Sequence, residues 1–128
     1  LGEFGEAKSK IETLSPAFYY HMHLAADTRL DIPTDPTHNF ILYLVNGNLE
    51  LEGQQTLTTN QVALYQRGES TVQLYTKEKA EILVLGGQPL NEVVYSYGPF
   101  VMNTEEQIRQ CISDYQNGKM GDPRLVDR

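Results

Sequence analysis

From Ile11 to Val94 the chain runs in short segments rich in Val, Leu, Ile, Tyr and Thr, in which apolar and polar residues alternate between turn residues. A period of two sends successive side chains to opposite faces of a strand, so the pattern predicts an all-β sandwich or barrel of about eight short strands. Strands are expected near 17–25, 40–45, 48–52, 61–65, 70–75 and 81–86. The strongest local signal is FILYLVNGNLELEG, residues 40–53, where two alternating runs flank Asn46-Gly47. That dipeptide favours positive φ at both centres of a type I′ turn and predicts a β-hairpin. Further turns are expected at Thr59-Asn60, at Arg67-Gly68 and across Thr76 to Ala80.

After Gly98-Pro99 the period changes from two to that of a helix. Ile108, Ile112 and Tyr115, with Cys111 beside them, fall on one face, and Asn103 to Gln107 supply a cap with acidic residues in the first turn. Gly118 followed by Lys119 is a stop, so one amphipathic helix is expected over roughly 104–117. The opening LGEFGEAKSK, residues 1–10, reads as a linker and points to a longer parent chain. A single domain is then expected over 11–121, with a flexible tail over 122–128.

A chain of 128 residues can bury a core without disulfides or a structural metal. Its formal charge of −7 would repel phosphate backbones and anionic lipid headgroups, which argues against nucleic-acid and membrane partners. The longest apolar run, Phe40 to Val45, is far too short to cross a bilayer as a helix. One cysteine, Cys111, makes no intrachain disulfide, and a cytoplasmic location is expected. On the apolar helix face it reads as an inert buried thiol.

Residues 86–121, GGQPLNEVVYSYGPFVMNTEEQIRQCISDYQNGKMG, contain Gln88-Pro89-Leu90-Asn91-Glu92, the run Tyr97 to Thr104 and the stretch Asp114 to Gly118. This segment resembles the closing stretch of the pirin family, and KSKIETLSPAFYYHMHLAAD with the NFILYLVNGNLEL run resembles the start of the same domain. Pirins are bicupins, two jelly-roll β-barrels in one chain, of which the N-terminal one holds iron. The resemblance therefore implies a cupin jelly-roll barrel with one C-terminal α-helix, corresponding to the C-terminal barrel. It also implies a non-catalytic domain without metal or cofactor of its own, with iron in an N-terminal cupin that this sequence lacks.

Cupin metal centres join three imidazoles and a carboxylate from neighbouring strands. Carried over from the family's motifs and anchored on Gly47, the first motif places Thr34 and Pro36 at histidine positions and Phe40 at the glutamate. The alternative register gives Pro33 and Asp35. In the second motif Asn60, Gln66, Gly68, Thr71 and Tyr75 take the glycine, proline, glycine, histidine and asparagine positions. The spacing survives without the ligands, leaving Thr34, Pro36, Phe40 and Thr71 as vestigial positions and Phe40, Thr71 and Tyr75 as a candidate metal-free pocket.

His21 and His23 form a His-x-His pair upstream of those positions. Alternation puts them with Tyr19 opposite the apolar set Phe18, Tyr20, Met22 and Leu24, so they are expected as outward side chains that could hold at most an adventitious zinc or nickel. His38, the third histidine, is expected in a loop or at a strand start. Tyr95, Tyr97, Phe100 and Met102 are expected to pack the helix, with a protein interface as the alternative.

The function expected is that of a structural and protein-interaction scaffold beside the N-terminal cupin of the parent chain. Other protein partners fit the family's association with transcription regulators and metabolic enzymes, and the isolated domain is expected to form a homodimer through the surface so exposed. Two alternatives stand beside it: iron-dependent, quercetin-type dioxygenation by the intact pirin, and small-molecule binding in the barrel.

Overall fold

The computed structural model describes residues 1–121, so the tail expected over 122–128 lies outside the described residues. In chain order the strands are β1 (Glu3–Phe4), β2 (Ala7–Lys8), β3 (Ala17–Leu24), β4 (Thr28–Pro33), β5 (Asn39–Asn46), β6 (Asn48–Leu51), β7 (Gln55–Thr58), β8 (Val62–Tyr65), β9 (Thr71–Thr76), β10 (Ala80–Gly87), β11 (Tyr95–Tyr97) and β12 (Phe100–Met102). They are followed by α1 (Glu105–Gln116). The chain divides into two compact units, Leu1–Leu90 and the part from Asn91 onward, where one domain over 11–121 was expected.

The first unit is a jelly-roll sandwich of two four-stranded antiparallel sheets, in the orders β3-β10-β5-β8 and β4-β9-β6-β7. Alternation decides which side chains enter the core. Phe40, Leu42 and Leu44 of β5 and Ile82 and Val84 of β10 point inward from the first sheet. Ile32 of β4, Leu49 of β6 and Val72 and Leu74 of β9 meet them from the second. Leu42, Leu44, Leu49, Ile82 and Val84 are wholly buried, each contributing about 1.5–3 kcal/mol by removal from water. Among the described residues Thr76 is the one buried polar residue, and its hydroxyl lies 2.9 Å from the Asn48 carbonyl and 2.6 Å from that of Glu78.

Two expectations are corrected here. Asn46-Gly47 does not turn a hairpin: β5 and β6 belong to opposite sheets, and the dipeptide carries the chain from one to the other. Gly47 alone adopts positive φ, 99°, and its N–H donates to Thr59 Oγ1 at 3.0 Å while that hydroxyl donates to the Gly47 carbonyl at 3.2 Å. The side chain of Thr59 thus satisfies backbone groups that have no ladder partner at the crossover. Secondly, residues 1–10 are not a linker. β1 and β2 pair with each other, Leu1 and Tyr19 exchange backbone hydrogen bonds at 2.9 and 3.0 Å, and Phe4 packs against the core through Tyr20.

In the second unit β11 and β12 form a hairpin beside α1. The helix is capped as expected: Thr104 Oγ1 accepts from Gln107 N at 3.2 Å, and Gln107 Oε1 accepts from Thr104 N at 3.0 Å. No helix among the described residues is long and apolar enough to cross a membrane.

Candidate functional site

The positions carried over from the cupin motifs, Thr34, Pro36, Phe40 and Thr71, hold no imidazole and no carboxylate. Phe40 is buried in the core, its ring 5.6 Å from that of Phe18 and edge-on to that of Tyr65 at 5.2 Å. The ring of Phe40, standing at the glutamate position, offers an ion no lone pair. Thr34 follows β4, its N–H bonded to the Ser70 carbonyl and its hydroxyl buried without a partner. Pro36 is exposed and uses its carbonyl to accept from Gly68 N at 2.9 Å. Asp35, from the alternative register, accepts from the N–H and hydroxyl of Thr37 at 2.8 and 2.6 Å, and these bonds hold its carboxyl below the usual carboxylate range.

The pocket expected from Phe40, Thr71 and Tyr75 does not assemble. On β9 the inward residues are Val72, Leu74 and Thr76, so Thr71 and Tyr75 face outward from one sheet while Phe40 faces inward from the other. Tyr75 instead lines an open polar groove of about 500 Å³ with Arg29, Asp31, Glu50 and Gln73, the guanidinium of Arg29 lying 5.4 Å from the centre of its ring.

On the outer face of the first sheet β3 presents Tyr19, His21 and His23, as alternation requires. β10 presents Glu81 beside them, because the register sets Glu81 opposite His23 and Leu83 opposite His21. His21 Nε2 lies 2.7 Å from Glu81 Oε1, and the two imidazole rings are 4.8 Å apart at a tilt of 52°. Glu81 is the residue that sequence reasoning missed. Its signal is one carboxylate at the head of an apolar strand, and only the pairing of strands far apart in sequence reveals its neighbours.

The remaining candidates lie in the second unit. Tyr95 pairs with Met102 and Tyr97 with Phe100, which places all four on one face of the hairpin. Phe100 meets the ring of Tyr115 at 6.0 Å, and Tyr95 and Tyr97 line a largely apolar groove with Ile108 and Ile112. Among the described apolar residues of this unit only Ile108 is buried, whereas Val93, Val94, Tyr97, Val101 and Tyr115 are each more than 60% exposed. Cys111 is half-buried on the helix and free. His38 lies in the turn before β5, its N–H donating to the Asp35 carbonyl.

The pirin C-terminal cupin domain matches residues 19–121 as a family. A crystal structure of quercetin 2,3-dioxygenase from Acinetobacter baumannii superposes with a TM-score of 0.83 at 32% identity, over 94% of this chain and 42% of that one. Pirin of Homo sapiens is 32% identical over 125 residues, covering 94% of this chain and 43% of its own length. A pirin-like protein of Solanum lycopersicum is 35% identical over 123 residues, 94% of this chain and 42% of that protein. The chain thus spans less than half the length of these relatives. With a match that runs from β3 through α1, the chain belongs to the pirin C-terminal cupin domain family.

Proposed function

We propose that this domain is a non-catalytic scaffold that docks the N-terminal cupin of a pirin-like parent chain in the cytoplasm. The observation that carries this reading is the apolar surface of the second unit. A folded segment of that size with one buried aliphatic residue gains little stability from its own core, and contiguous exposed apolar surface marks an interaction site. The first unit has an apolar surface of its own on the outer face of its first sheet, where Val62 and Leu64 are exposed at the β8 edge and Ile41, Val45, Leu83 and Leu85 continue the stripe across β5 and β10. Packing of the interior by Phe40 and its neighbours supports a domain without a cupin metal of its own.

A solved relative's identity as a quercetin 2,3-dioxygenase favours a second reading at the level of the intact protein, in which iron chemistry resides in the N-terminal cupin and this domain supplies architecture.

The test is co-purification of the chain with a separately expressed N-terminal pirin cupin, followed by sedimentation. A 1:1 complex is expected, lost on Val101→Asp, and the chain alone is expected to self-associate through the same surface. No complex, together with a monomeric chain near ~1 mM, would refute the docking role. Quercetin-dependent oxygen uptake by the chain alone with Fe²⁺, above the ion in buffer, would refute the non-catalytic one.

A further inference from the structure

We propose that His21, His23 and Glu81 form a binding site for a divalent transition ion of the zinc type on the outer face of the β3-β10-β5-β8 sheet. Each residue offers one ligand atom, and these atoms lie within 4.8 Å of one another. A tetrahedral ion with bonds of about 2.1 Å needs its ligand atoms roughly 3.4 Å apart. The 2.7 Å contact between His21 Nε2 and Glu81 Oε1 must therefore open slightly and the widest separation close. Both movements are torsions of side chains free to turn, since both imidazoles are exposed and the carboxylate is half-buried.

The backbone beneath them is already fixed. His21 and His23 stand two residues apart on one strand face, and the continuous β3-β10 ladder from Ala80–Leu24 to Gly87–Ala17 holds Glu81 across from them. On the other side of β10 the register with β5 shifts between Glu81 and Ile82, leaving Val45 as the extra residue on β5. The tilt of the imidazoles also matters, because parallel stacked rings would direct their nitrogen lone pairs past a common point.

The donor set selects the ion. Two imidazoles and one carboxylate suit zinc, nickel and copper, whereas magnesium and calcium require shells of oxygen. The surplus of acidic residues in the chain favours any cation. Three protein ligands leave a fourth position for water or for a donor from another molecule.

The chain, purified without a tag or chelating resin, is titrated with Zn²⁺ alone by calorimetry in a non-coordinating buffer. One ion per chain is expected, with a dissociation constant on the order of 10 µM. His21→Ala, His23→Ala and E81Q are each expected to weaken binding at least about tenfold, since even changes behind the ligands of metal sites cost that much. His38→Ala and substitution of Mg²⁺ for Zn²⁺ serve as controls, with unchanged and absent binding respectively. In the unsubstituted protein, imidazole NMR signals of His21 and His23 are expected to move together on adding Zn²⁺ while that of His38 stays. Absence of saturable Zn²⁺ binding, unchanged binding in all three variants, or loss of binding on His38→Ala would overturn the assignment.

Discussion

Gly47→Ala tests the crossover between the two sheets. A Cβ at this position would lie 2.7 Å from the Lys79 carbonyl oxygen and 3.0 Å from both Cα and Cβ of Ala80, and φ there is 99°. Positive φ costs an L-residue about 1–2 kcal/mol, and forcing a methyl group into occupied space about 1–3 kcal/mol more. Reduced freedom of the unfolded chain returns about 0.4–1 kcal/mol, so the net loss is about 1–4.6 kcal/mol. Gly53→Ala separates the contributions: φ there is 73°, but nothing lies within 4 Å of the added Cβ. Its loss is about 1 kcal/mol, the conformational part alone. Urea unfolding followed by far-UV circular dichroism measures both, with an unchanged slope showing that the midpoint reports stability. Equal midpoints for the two variants would refute the close approach of Gly47 to the Lys79–Ala80 backbone.

Burial, with a smaller contribution from the charge of Glu52, pushes the Tyr65 phenol up to about 12 from an ordinary value of 10.0. The folded state therefore holds this proton more tightly than the unfolded chain; the associated stability is fully present below about pH 10 and lost as pH rises toward 12. Absorbance titration near the phenolate band should find a last-ionising tyrosine that is absent in Tyr65→Phe, ahead of it Tyr20, which burial also raises. That variant should also lose no stability, because its hydroxyl is buried without a hydrogen-bond partner; a loss above about 1 kcal/mol would refute this. Thr104→Ala removes one half of the helix cap and is expected to cost about 1 kcal/mol, read as roughly fivefold faster hydrogen exchange at the Gln107 amide. Unchanged exchange would mean that the cap carries no weight there.

Strand content, the helix with its cap and the outward direction of His21 and His23 were legible because each depends on local period or local chemistry. The β5-β6 crossover was not. A hairpin and a crossover both turn Leu44 and Leu49 inward, so the apolar pattern is the same for either, and Gly47 suits both. β7 escaped notice because it buries only Leu57, and β4 because it ends in Pro33. The N-terminal hairpin was hidden by its Gly and Glu content, although Phe4 gave it an anchor. The failed pocket is a matter of parity, since motif spacing says nothing about which face of a strand each position occupies. Glu81 required the register between strands nearly sixty residues apart, which no local signal encodes.

The place of β10 between β3 and β5 sets the order in which the sheet can close. During synthesis β3 and β5 emerge first, and the strand that joins them follows about thirty residues after β5, a wait of about 2–6 s at about 5–20 residues per second. Until then both carry an unpaired edge, Leu42 and Leu44 lack Val84 and Ile82 beside them, and His21 and His23 stand without Glu81. Outside the β1-β2, β6-β7 and β11-β12 hairpins native pairing is thus non-local, which places folding in the slow regime of milliseconds to seconds and makes insertion of this one central strand the step that completes the first sheet.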